Sequence, residues 1–157
     1  MSSYFFLKAV HVLSAAVLFG TGLGIAFFKW ITDRTGRVAA IRVVSEKVVL
    51  ADWLFTLPAI ILQAGTGFAL ARLMGYPLSH GWLAWSIALF LLAGACWIPV
   101  VWLQMRMRDL ARASEREGQH AVPARYRAYA RLWFWLGVPA FAAVTLIFWM
   151  MVAKPEL

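Results

Sequence analysis

Cysteine is all but missing from this chain. Cys96 stands alone, which excludes an intrachain disulfide and any metal site built on paired cysteines. Charge is scarce too: 14% of the residues are charged, and Asp and Glu together number 7 against 15 Lys and Arg. That is too little charge for an ordinary soluble domain of this length. No strand pattern precedes Gly20-Thr21-Gly22-Leu23-Gly24, so the run is no nucleotide fingerprint and reads as a thin helix face, with Gly20 and Gly24 as a packing surface. Gly65 and Gly67 are expected to play the same part further on. Internal repeats are absent and few polar residues line any path, which argues against a transporter. No basic face with interleaved aromatics lies outside the basic connecting segments, and nucleic acid is not expected as a partner.

What the chain has instead is long apolar runs. Hydrophobic residues make up 63% and there are nine Trp. Four apolar segments, at about residues 4–28, 48–71, 81–103 and 132–153, each approach the roughly 20 residues that a helix needs to cross a hydrocarbon core about 30 Å thick. Backbone groups cannot go unpaired in lipid, so the segments are expected to be helices. The expected fold is all-α: one integral membrane four-helix bundle over residues 1–157, with the bilayer as its surroundings. Nothing basic precedes Lys8, and the first apolar run continues well past Ser14-Ala15-Ala16, so it reads as a retained span rather than a cleaved signal.

Basic residues orient the bundle. Lys29, Arg34, Arg37, Arg42 and Lys47 lie between spans 1 and 2, and Arg106, Arg108, Arg112, Arg116, Arg125, Arg127 and Arg131 between spans 3 and 4. By the positive-inside rule these twelve face the cytoplasm of a bacterial inner (cell) membrane, and both termini lie outside, in the periplasm. Lys8, Arg72 and Lys154 fall at the outer ends. The net charge of +8 also suits anionic lipid. Trp30, Trp82, Trp102 and Trp133 lie close to span ends and read as interface anchors.

The inner segments carry helical patterning of their own. Val38, Ile41, Val44 and Val48 recur at helical spacing while Arg42 and Glu46 form an i,i+4 pair, so the second helix is expected to begin in the cytoplasm. The third is expected to run on past Gln104, with Gly118 as its stop and Pro123 opening the fourth. Helices 2 and 3 are thus extended into the cytoplasm. Their solvated faces are also candidates to hold a membrane protein partner or a second copy of the chain. Pro58, Pro99 and Pro139 are expected as tolerated kinks.

Within this apolar frame His11 stands out, because ionisable groups in hydrocarbon persist where they face a bundle interior, a partner or a cofactor. Gln63 falls at a similar depth in span 2, and Asp52, near the inner end of that span, is expected to pair with a loop Arg or Lys. Two readings of His11 follow. One is an interhelical hydrogen bond to Gln63 or to a carbonyl, worth about 0.6 to 2 kcal/mol in membrane bundles. The other is an axial ligand, since neutral imidazole binds haem iron and facing helices of bundles hold such cofactors. Lys8 lies one turn above His11 and can snorkel outward.

Leu7-Lys8-Ala9-Val10-His11, Leu57-Pro58-Ala59-Ile60-Ile61-Leu62 leading to Gly65, Gly81-Trp82-Leu83, and the closing pattern from Arg131 through Pro139 to Val152-Ala153-Lys154-Pro155 resemble the HemJ-type family of four-helix membrane proteins. The chain is similar also to a bacterial family of predicted integral membrane proteins of unknown function. The first resemblance implies haem b held by a histidine of the first helix, here His11 as the iron ligand. Lys8 and Arg72 are then placed to pair with propionates, Gln63 stands at the ligand's depth, and His80 is the obvious candidate for sixth ligand, although its place near the interface, shallower than His11, favours a solvated loop residue or a propionate contact; His120, among cytoplasmic arginines, is unrelated. Protoporphyrinogen oxidase activity, which the resemblance also implies, is put in doubt where the family's span 3 lysine is replaced by Trp85-Ser86 and its Asn-Glu by Leu136-Gly137, since removing protons from a porphyrinogen needs groups that accept them. The expectation is a haem-b redox protein without that activity, and the competing one is a cofactor-free membrane subunit or scaffold that binds a protein partner.

Overall fold

Five α-helices and one π-helical turn build the chain in a computed structural model that describes residues 2–156. They are α1 (Ser2–Thr35), α2 (Val38–Ala51), the π-turn (Asp52–Thr56), α3 (Leu57–Met74), α4 (Gly81–Arg116) and α5 (Ala124–Ala153). Because α2, the π-turn and α3 follow one another without a break, the architecture is four long apolar rods, each long enough to cross a membrane. The second and third rods hold 37 and 36 residues, roughly 55 Å each at 1.5 Å per residue. That exceeds the hydrocarbon thickness by a wide margin.

The excess lies at the basic end, where α1 and α2 are separated by Gly36 and Arg37 alone. Gly36 has φ +66°, a left-handed turn that glycine adopts without steric cost. The same device closes α4: Gly118 has φ +64°, and the Gln119 N–H bonds back to the Ser114 carbonyl at 2.9 Å. Pro123 then precedes α5 at its N-cap, where its fixed φ suits a helix start. At the other end α3 stops at Gly75, φ +67°, with the Tyr76 N–H on the Ala71 carbonyl at 3.0 Å, a Schellman-type closure. Pro99 and Pro139 sit inside continuous helices.

Packing is uneven along the rods. α4 lies against α5, α1 against α3, and α2 against α4 and α1. The buried core, Val38, Ile41, Leu103, Met107, Ala111, Val122, Tyr126 and Trp133, sits wholly in the basic half. Away from it, side chains such as Leu13, Ile61, Leu91, Ile98 and Trp135 are more than 60% exposed, as lipid-facing apolar residues must be. Phe19 ties the α1–α3 pair to α5 there, its ring 4.8 Å from Phe141 and 5.4 Å from Phe148.

Several expectations change. Gly20, Gly24 and Gly65 have no atom within 4 Å of where a Cβ would stand, so they are not packing surfaces within this chain; only Gly67 is approached, by the His11 ring. Trp133 is buried in the core rather than set at an interface, because α5 begins before its apolar stretch and packs that ring near Lys29 of α1, whose Nζ lies 5.9 Å from the ring centre. Lys29 is no loop residue. It is 1% exposed, bonded to Asp33 at 2.9 and 2.7 Å and to the Tyr126 hydroxyl at 2.5 Å, with the Tyr126 ring 4.8 Å away. The expected Arg42–Glu46 pair forms at 3.1 Å, and Arg112 joins it on Glu46 at 2.7 Å.

Candidate functional site

His11 faces α3 and engages it with both ring nitrogens. Its Nδ1 lies 2.9 Å from Thr66 Oγ1, and Gln63 Nε2 lies 3.0 Å from His11 Nε2. The partners assign the protons. The Thr66 hydroxyl donates to the Leu62 carbonyl at 2.5 Å, so its oxygen accepts and Nδ1 carries the hydrogen. The Gln63 amide nitrogen then donates to the Nε2 lone pair, while its oxygen accepts from the Ser14 hydroxyl at 2.7 Å; that hydroxyl also lies 3.0 Å from the His11 carbonyl. Spacing explains the set: Gln63 and Thr66 are three apart on α3, as are His11 and Ser14 on α1, so each helix shows both polar groups on one face. Gly67 makes room, since a Cβ there would stand 3.2 Å from His11 Cε1.

The remaining candidates divide. Gln63 is brought to His11, as the shared depth foretold. Lys8 and Arg72 lie exposed, Lys8 Nζ 5.7 Å from the Tyr4 ring centre and the Arg72 guanidinium 5.0 Å from that of Phe68; among the described residues neither enters an ion pair. His80 is exposed in the connection before α4, its Nδ1 2.8 Å from Ser79 Oγ. It is not set opposite His11 Nε2, where Gln63 stands. At the positions of the missing acid–base groups, Ser86 is buried and bonds to the Trp82 carbonyl at 2.8 Å, and Trp85 is exposed.

Asp52 departs from expectation. It makes no ion pair among the described residues and is 5% exposed, with Thr56, Gln104 and Trp97 against its carboxyl. A π-turn starts at Asp52, where the Leu57 N–H reaches the Asp52 carbonyl five residues back. Pro58 is the sequence signal that pointed to an irregularity, because its missing N–H leaves the Leu54 carbonyl without its usual partner. The extra residue turns Asp52 inward, toward α4 and away from the basic loop residues.

Four apolar helices with a polar network closed between the first two rods define an integral membrane protein of the four-span class. The family described as predicted integral membrane proteins (DUF2269) matches residues 5–155, and the chain belongs to it. No curated protein and no solved structure matches the chain.

Proposed function

We propose that this membrane protein binds haem b through His11 Nε2 and serves a redox role. The observation that carries the reading is the Nδ1–H bond to Thr66: it holds the imidazole in the tautomer whose Nε2 lone pair is available to iron, the arrangement that second-shell partners give to ligating histidines. The donor chemistry therefore fits the group, on the condition that the Gln63 amide yields its place on Nε2. Lys8 and Arg72, without carboxylate partners among the described residues, suit propionates at the outer end. Bound haem would contribute one-electron exchange; the chain's part is to ligate, orient and exclude water. The basic end is assigned to the cytoplasm on the positive-inside rule, so His11 lies toward the outer leaflet.

A second reading has its own support. Both ring nitrogens of His11 already have partners, and a closed network of this kind also suits a cofactor-free subunit in which His11 only pins α1 to α3. One measurement separates the two. Wild-type protein purified in detergent from haem-replete cells is expected to show a Soret band that His11→Ala abolishes; wild type without bound haem would leave the second reading standing.

A further inference from the structure

The second rod is interrupted by a π-turn at Asp52–Thr56, and such turns often mark functional sites because they re-aim side chains. The side chain re-aimed here is a carboxylate. Asp52 Oδ2 is enclosed without a hydrogen-bond partner, and among the described residues no basic group pairs with it. The polar side chains against it, Thr56, Gln104 and Trp97, are all neutral. Neutral neighbours supply hydrogen-bonding groups but no opposite charge, so the buried carboxyl is short of a cation.

A groove of about 290 Å³ opens beside them between the π-turn and α4. Trp53, Leu57, Trp97, Ile98 and Met105 wall it, and Asp52 is its one ionisable lining residue. Asp52 lies eleven residues from Gln63, roughly 16 Å of helix rise toward the basic end, so the groove is separate from the His11 network.

We propose that this groove binds a lipophilic organic cation, its charge on the Asp52 carboxylate and its body against Trp53 and Trp97. Charge complementarity selects the occupant. A buried carboxylate without a counter-charge gains most from a cation, indole faces attract one as well, and apolar walls take a hydrophobic body, which the bilayer concentrates. An anion would be repelled, and a bare inorganic ion would meet hydrocarbon on most sides.

The test uses the full-length protein in detergent, titrated with tetraphenylphosphonium and, separately, with the equally sized anion tetraphenylborate, binding being read by calorimetry and by quenching of tryptophan fluorescence. The phosphonium is expected to bind saturably and the borate not at all, with Asp52→Asn weakening binding at least tenfold and Trp97→Phe several-fold. Equal binding of both ions, no saturable binding by wild type, or unchanged affinity in Asp52→Asn would overturn the assignment, as would displacement of the phosphonium by millimolar sodium chloride, which would make the site one for an inorganic cation. Size-exclusion profile and helicity check that Asp52→Asn folds. Should it not, Trp53→Ala takes its place, since Trp53 is 56% exposed and its removal spares the core; full affinity there would count equally against the proposal.

Discussion

Lys29 donates a hydrogen bond to the Tyr126 hydroxyl at 2.5 Å, joining the basic end of α1 to the first turn of α5 across 97 positions of sequence. The same hydroxyl donates to Asp33 Oδ1 at 2.7 Å, so ammonium, phenol and carboxylate form a closed triangle. The ammonium is almost wholly buried, and removing its counter-charge strands it. Asp33→Asn is expected to destabilise the protein by about 3 kcal/mol, the lower end of the range for breaking a buried pair, since Asp33 itself keeps 21% exposure. Tyr126→Phe, which removes one neutral partner, should cost about 1 to 2 kcal/mol. Thermal unfolding in detergent measures both, and equal, negligible effects would mean that the triangle does not hold α1 to α5.

Thr66 orients His11 without being a ligand in the proposed site. Thr66→Val keeps the shape and removes the acceptor for Nδ1–H, so the bundle should lose about 1 kcal/mol while the haem spectrum shifts and haem is retained more weakly. Thr66→Ser, which keeps the hydroxyl, should restore the spectrum. His11→Ala should leave the protein folded and inserted. A Thr66→Val spectrum identical with wild type would remove Thr66 from the site.

Orientation is read by labelling. Gln119 and Ser79 are exposed at opposite ends of the bundle, and with the basic end inside, a cysteine at Ser79 should react with impermeant thiol reagents in intact cells while one at Gln119 should react only after lysis. The reverse pattern would invert the topology and move His11 to the inner leaflet.

Acid should loosen the basic end. Glu46, outside the apolar stretch 48–71, is held below the usual carboxylate range first by the Arg112 hydrogen bond and then by Arg42. Its folded-state pKa is depressed, so the stabilisation is present above the unfolded value and is lost as pH falls through the folded one. The unfolding midpoint should drop on acidification below about pH 4, and Glu46→Gln should lower it at neutral pH while flattening that part of the curve. A wild-type midpoint that rises on acidification would contradict this sign.

Without titratable groups at Trp85-Ser86 and Leu136-Gly137, proton removal from a porphyrinogen has no acceptor there. Expression in a strain lacking protoporphyrinogen oxidase is expected to give membrane-inserted protein but no restored haem synthesis. Growth on the chain alone would show that other residues take the protons.

Much of this was determined by sequence alone. Rod number and material follow from apolar run length, because a backbone in lipid has no partner but itself; the turns follow from Gly36, Gly75, Gly118 and Pro123, whose conformational preferences are local. Even the meeting of His11 with Gln63 was foreseeable from depth, a one-dimensional quantity. What remained for the tertiary structure was rotation about the helix axes. Whether Lys29 points to solvent or into the core, and whether Gly24 meets a neighbour or lipid, depends on which face each helix turns inward, and helices apolar on nearly every side carry little pattern to settle it. The π-turn adds a further rotation midway along the second rod. It takes Asp52 from the basic loop residues that charge pairing suggested and sets its carboxylate beside Trp97 and Gln104, an outcome that depends on α4 being there to receive it.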